Sequence, residues 1–261
     1  MWIDSHCHLD APEFDADRDA VWQAARAAGV AEALVPAVCL SNCAAVTACC
    51  ARYPGCLPAY GIHPLYVMAA QEADLAALAD YLMRHRPVAL GEIGLDAYVP
   101  NVDFARQEFF FAAQLELAQE FDLPVVLHGR RALDLLLKHL RRIRVKGGIA
   151  HAFNGSRQQA DMLIGLGFRL GFGGALTYPG STRIRRLAEE LPAESLVLET
   201  DAPDIPPRWR SGQRNTPAEI PAIARELAAL RGMTEAELAA LTTTNTRMAL
   251  HISAMYRHSR K

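Results

Sequence analysis

The chain has 261 residues, of which 51 % are hydrophobic and 21 % charged, with a formal net charge of −2 at pH 7. That composition fits a globular protein and excludes a disordered or low-complexity one; it also excludes a surface positive enough overall to hold a polyanion, so any nucleic-acid contact must come from a local patch. No apolar stretch approaches the length of a membrane span, and the N-terminus has no basic segment leading into an apolar one, which predicts a cytoplasmic protein without a membrane partner. Six cysteines (Cys7, Cys39, Cys43, Cys49, Cys50 and Cys56) are spaced irregularly and form no CxxC pair, so they read as reduced thiols.

Along the chain, short apolar runs alternate with longer amphipathic stretches. The runs occupy 1–4, 32–37, 57–62, 87–94, 123–128, 146–153, 168–174 and 195–201. Helices are predicted at 15–28, 74–84, 104–121, 132–140, 157–166 and 182–190, with two more at 217–230 and 235–251. Gly29 and Gly167 close helices, and Pro87 and Pro124 open strands. Strands apolar on both faces and alternating with helices predict a parallel sheet covered by helices. Eight such units suggest a TIM-like (β/α)8 barrel, an α/β fold built as one domain over residues 1–261.

Chemically able side chains recur at one end of these runs. His6 and His8 follow the first, Glu92 lies near the end of the fourth, His128 ends the fifth, His151 ends the sixth and Asp201 ends the eighth. In a barrel those ends converge on the face that carries active sites. Imidazole with carboxylate suits a transition-metal ion, and six such ligands are too many for one tetrahedral ion and about right for two. In the HxH pair, alternate residues share a face, so His6 and His8 point together and Cys7 points away. Each residue alone has a plainer reading, as a structural histidine or a carboxylate in a buried ion pair. Their shared position at the strand ends favours a two-metal site.

Several stretches match a known family in order and spacing: "WIDSHCHLD" (2–10), "YGIHP" (60–64), "GEIGLD" (91–96), "LPVVLHGRRALD" (123–134), "HAFNG" (151–155) and "LPAESLVLETDAP" (191–203). On these the chain resembles the TatD family of metal-dependent hydrolases, within the amidohydrolase-like superfamily, and looks closest to its TatD-like bacterial hydrolases. The resemblance implies a barrel holding two divalent ions, of zinc, manganese, magnesium or nickel. His6, His8 and Asp201 would hold one and His128 and His151 the other, with Glu92 as the bridge where many amidohydrolases use a modified lysine. It implies a deoxyribonuclease of 3′–5′ exonuclease type, cleaving phosphodiesters with a metal-activated water. The alternative is hydrolysis of a carboxylic ester or amide, as in family members that remove D-amino acids from mischarged tRNA. Gly129, Ala152 and Asn154 depart from the residues usual at their positions, and none of these changes removes a ligand.

Around this set, Asp201 and Glu92 are the expected catalytic carboxylates, with Asp201 able to accept the proton of the attacking water. Glu199, two residues earlier on the same face, is expected to orient a ligand histidine. His63 is expected to donate to a substrate phosphate and Arg130 to contact one. The run 138–146 is the densest in cations but falls on the opposite end of the barrel. Arg208, Arg210 and Arg214, with Trp209, are expected on the site face, where they could hold a backbone and stack a base, their roles being left open; the segment 175–183 is expected there too. So few cations predict a short single-stranded DNA 3′ end, or an aminoacyl-tRNA, as the partner of a monomer. The tail at 257–261 reads as a solvated end.

Overall fold

The structure is a computed structural model that describes residues 1–100 and 102–252; the basic tail at 257–261 lies outside the described residues. Eight strands lie side by side in chain order, each parallel to the next: β1 (Trp2–Asp4), β2 (Val30–Pro36), β3 (Cys56–Tyr60), β4 (Ala89–Asp96), β5 (Val125–Arg130), β6 (Gly148–Ala150), β7 (Phe168–Phe172) and β8 (Leu196–Leu198). Every expected run overlaps one strand. Two are shorter than expected: β6 covers only the centre of 146–153, and β8 stops three residues before Asp201. Conversely, β4 and β5 each continue two residues further, to Asp96 and Arg130, which are paired in register.

The helices fill the connections: α1 (Arg18–Ala27), α2 (Cys43–Arg52), α3 (Ala73–His85), α4 (Phe104–Glu120), α5 (Leu133–Arg142), α6 (Arg157–Gly165), α7 (Thr182–Glu190), α8 (Ile220–Arg231) and α9 (Glu235–Ala249). Sequence reasoning did not single out α2, whose stretch of Ala, Cys and Thr shows little contrast between faces. α6 and α9 open with capping boxes, Ser156 with Gln159 and Thr234 with Glu237, in which side chain and backbone satisfy each other's free donors. The cations of 138–146 fall partly in the last turn of α5, where they face the negative end of the helix.

Strand alternation divides the core in two. Leu34, Leu57, Ala59, Val126, Ile149 and Val197 point into the barrel and pack on one another, with Ala249 and Leu250 at the end of α9 closing the floor. Their strand neighbours, such as Ala33, Val35, Val125, Leu127, Leu196 and Leu198, point outward under the helices. Cys7 and Leu9 belong to this outer layer. Carrying the inward parity two residues further gives His128 from Val126, His151 from Ile149 and Glu199 from Val197, while His6 alternates with the outward-packed Cys7. The fold thus delivers the polar residues to the top of the same space that the aliphatic residues fill below.

The barrel closes between β8 and β1 through backbone beyond the strands. Ser5 N donates to Leu198 O at 2.9 Å, Asp201 N to His6 O at 2.8 Å and His8 N to Ala202 O at 2.8 Å. This seam lies at the site end and holds the loops that carry His6, His8 and Asp201. Among the described residues, no helix is long and apolar enough to cross a membrane.

Gly94 pairs with His128 across β4 and β5: its φ is +151°, and a Cβ there would lie 1.9 Å from the His128 carbonyl oxygen. Gly94→Ala is expected to destabilise the protein by about 3 kcal/mol or more, from strain plus overpacking. Gly165, at the end of α6 with nothing within 4 Å of a Cβ, should instead gain up to about 1 kcal/mol when changed to Ala. Urea unfolding of the two variants measures both.

Candidate metal centre

The site is organised around Glu92, which projects inward from β4 and is 2 % exposed. Its two oxygens divide the surrounding histidines between them. Oε2 lies 3.1 Å from His6 Nε2 and 3.6 Å from His8 Nε2. Oε1 lies 3.0 Å from His128 Nδ1, 3.0 Å from His151 Nε2 and 3.4 Å from His63 Nε2. Asp201 completes the first half, with Oδ1 3.4 Å from His6 Nε2 and 3.7 Å from His8 Nε2. The structure therefore brings together all six expected ligands, and it adds His63 to the group.

Ring nitrogens also face each other. His6 Nε2 and His8 Nε2 are 3.2 Å apart, and His128 Nδ1 and His151 Nε2 are 3.3 Å apart. Two imine lone pairs at that distance repel unless a proton or a cation sits with them. The donor sets His6–His8–Asp201, His6–Glu92–His151 and His63–Glu92–His128 each have ligand atoms within 4.8 Å of one another. The mixture of imidazole and carboxylate is the donor chemistry that divalent transition metals take.

Hydrogen bonds on the far side of each ring select among these sets. His128 Nε2 lies 3.0 Å from Asp96 Oδ2, so its proton goes there and Nδ1 is left as a lone pair facing Glu92, the carboxylate–histidine arrangement common behind metal ligands. His63 is the reverse case. Its Nδ1 accepts the Leu65 N–H at 3.2 Å, which puts the proton of the neutral ring on Nε2 and makes His63 a donor into the site rather than a ligand.

The electrostatics fit a cation. Burial pushes the Glu92 carboxyl up, but His151, His6 and His63 outweigh it and hold it well below the usual carboxylate range. Burial and the neighbouring His151 bring His6 down to about 3, so its ring is neutral as a ligand must be. For His151, burial works against the charged ring, yet Glu92, Asp201 and Glu199 raise it to about 10. The pocket thus draws one positive charge, which a proton on His151 supplies when no metal does.

Residues outside the ligand set hold it in place. Asp96 was missed by sequence reasoning, although it shares the inward parity of Glu92 and Gly94 within "GEIGLD". Asp4 was missed as well: it is fully buried, accepts from the His6 and Thr200 backbone N–H groups, and takes the Thr200 hydroxyl at 2.6 Å. It ties the two sides of the seam together. Asn215 Nδ2 donates to the Thr200, Asp204 and Ile205 carbonyls and fixes the loop around Asp201. Glu199 Oε1 accepts the Ala152 N–H at 2.5 Å but stands 3.8 Å from His151 Nδ1. It positions the backbone that follows His151 and leaves the ring beyond direct hydrogen-bonding reach.

Two expectations need correction. Asp201 does not end β8; it lies in the loop beyond, with a left-handed backbone of φ 55°. Nor do Arg208, Arg210 and Arg214 line the cleft. Arg214 is bound by both oxygens of Asp17 at 2.6 and 2.9 Å, while Arg210 and Trp209 share Glu219 at 3.2 and 2.7 Å. These side chains brace the loop after β8 against α1 and α8. The cations that do line the cleft, of about 1400 Å³, are Arg130, Arg131 and Arg183. Asn154, one of the departures from the usual motif, accepts both Nε and Nη2 of Arg183.

Comparison with known proteins follows the same lines. A family model described as TatD related DNase matches residues 3–251. The chain is 40 % identical to the metal-dependent hydrolase YjjV of Escherichia coli K12 over 94 % of this chain and 96 % of that protein. It is 35 % identical to the 3′-5′ ssDNA/RNA exonuclease TatD of Cronobacter sakazakii over 93 % and 95 %. The crystal structure of the YjjV protein superposes with a TM-score of 0.93 at 39 % identity, covering 97 % of this chain and 98 % of that one.

Because His151 carries a proton at neutral pH and a metal needs the bare ring, filling the His128–His151 side should release about one proton at pH 7, and affinity there should rise as pH rises toward 10. Titration calorimetry of the metal-free protein with Zn²⁺, in buffers of different ionisation enthalpy, measures the release.

Proposed function

The chain belongs to the TatD family of metal-dependent hydrolases, and on that premise we propose that it removes nucleotides from a single-stranded 3′ end with two divalent ions. The observation that carries this reading is the division of donors around Glu92. His6, His8 and Asp201 would hold one ion on the Oε2 side. His128 and His151 would hold the second on the Oε1 side, with Glu92 between them. Zinc, manganese or nickel suits such donors, and magnesium is the harder alternative. Bound there, such ions supply an acidified water and offset charge gathering on the phosphoryl oxygens.

The protein's own groups supply the rest. Burial pushes the Asp201 carboxyl up, which suits it to accept the proton of the attacking water. His63 presents its Nε2–H toward the centre and donates to a phosphoryl oxygen. Asp96 keeps the His128 ring in the tautomer that leaves Nδ1 free, and Glu199 holds the backbone after His151. Arg130, two residues beyond His128 on β5, reaches the cleft as a phosphate contact. The six cysteines are unpaired thiols, which supports a reducing, cytoplasmic setting; the protein is read as acting as a monomer.

The test is 3′-labelled single-stranded DNA with Mg²⁺ or Mn²⁺, run beside D-aminoacyl-tRNA under the same conditions. Label release from DNA that chelator abolishes, with little deacylation, is the expected result; the reverse ratio would transfer the function to carboxylic esters. His6→Ala should lower turnover by at least about a thousandfold while circular dichroism stays native, since it removes a nitrogen shared by the Glu92 and Asp201 sides of the centre. Activity surviving that change would refute the ligand assignment.

A further inference from the structure

At the ends of β4 and β5, next to the centre, Arg130 stands with two side chains that no role has yet absorbed, Tyr98 and Arg131. Tyr98 follows the end of β4, lines the cleft and is 47 % exposed. The Arg130 guanidinium carbon lies 3.6 Å from its ring centroid and that of Arg131 lies 4.6 Å away. Both arginines are exposed, and among the described residues neither is ion-paired to a carboxylate, unlike Arg18, Arg52, Arg210, Arg214 and Arg247. Arg131 has a left-handed backbone of φ 55°, uncommon for a residue with a side chain.

Two like charges gathered on one aromatic ring repel each other, and the ring quadrupole offsets only part of that repulsion. An anion bound at their open edges offsets the rest. Guanidinium groups stacked on a ring keep their N–H edges open, and those edges match the oxygens of a phosphate. The position is equally specific. Arg130 stands two strand residues past His128, about 7 Å along β5, which is on the order of one nucleotide step from a phosphate held at Glu92. Asp96, the nearest acid on β4, is already taken by His128 and by the Tyr98 and Val99 backbone N–H groups.

We propose that Tyr98, Arg130 and Arg131 form a subsite for a second phosphate, adjoining the one at the metal centre, so that the protein engages a strand end through at least two consecutive phosphates. Arg130 and Arg131 bind the anion, and Tyr98 is a positioning residue whose ring holds both guanidiniums at the cleft. The inference rests on the reading of the centre as a site for nucleic-acid 3′ ends. It defines the preferred substrate as an oligonucleotide rather than a simple phosphodiester.

The experiment uses the Mn²⁺-loaded protein and two probes. The first is fluorescein-labelled oligo(dT) of eight nucleotides with a phosphorothioate 3′ linkage, followed by anisotropy over a range of salt concentrations. The second is hydrolysis of unmodified oligo(dT) against the p-nitrophenyl ester of thymidine 5′-phosphate, which has a single phosphorus. Arg131→Ala should weaken oligonucleotide binding about tenfold or more and reduce the slope of log affinity against log salt by about 0.7, the loss of one phosphate contact on a single strand. Its kcat/KM should fall at least tenfold more on the oligonucleotide than on the small ester. Tyr98→Leu should behave similarly, and Tyr98→Phe, which keeps the ring, should restore most of the affinity; melting curves confirm that the variants fold. Equal losses on both substrates, an unchanged salt slope in Arg131→Ala, or no oligonucleotide binding by the unaltered protein would overturn the subsite. Arg131-dependent binding without nucleotide release would uphold the subsite and overturn the exonuclease reading instead.

Discussion

Everything in this molecule depends on one carboxylate placed where five imidazole nitrogens converge. Glu92 is buried and has ring nitrogens between 3.0 and 3.6 Å from its oxygens. Isolated in that environment, a charged carboxylate would be expelled or neutralised. Surrounded by rings that can share a positive charge, it stays ionised. The cost of burying the charge is offset only when a cation completes the group. The centre is thus a structural demand of the fold as well as its chemistry: Asp96 accepts from the His128 ring and keeps it aimed, while Asp4 and Glu199 accept from the backbone at His6 and Ala152 and hold the chain that carries the other rings.

Barrel geometry explains why so few local features are needed to build it. Inward parity is inherited from the aliphatic floor, so the same alternation that seals Val126 and Ile149 against each other presents His128 and His151 two residues later. The cations around the cleft obey a looser rule. They stand at strand ends and in the loops beyond, where direction is set by turns and partners. That is why Arg130 and Arg131 are open to the cleft while Arg214, on a loop at the same end of the barrel, is closed by Asp17.

This contrast marks how far the residues could be read without coordinates. All eight strands and the six proposed ligands were legible, because hydrophobic alternation is local and the ligands fall at a fixed phase of it. The short helix α2 was not, since Ala and Cys carry little amphipathic contrast. Asp96 lay in plain view two residues past Gly94, and extending the parity of Glu92 would have found it. Asp4 could not be read in the same way, because its partner Thr200 is distant in the chain and only barrel closure makes them neighbours. The Arg208–Arg214 loop was misassigned for the same reason: nothing local shows that Asp17 and Glu219 wait for its cations.

The seam between β1 and β8 has a consequence for how the protein comes into being. Its backbone bonds join residues 5–8 to residues 198–202, so His6 and His8 wait until β8 has been made before they meet Asp201. A partly synthesised chain holds Glu92, His128 and His151 without the partners that close the ring. Hydrolytic competence therefore arrives late and all at once, when the backbone after β8 closes on that after β1.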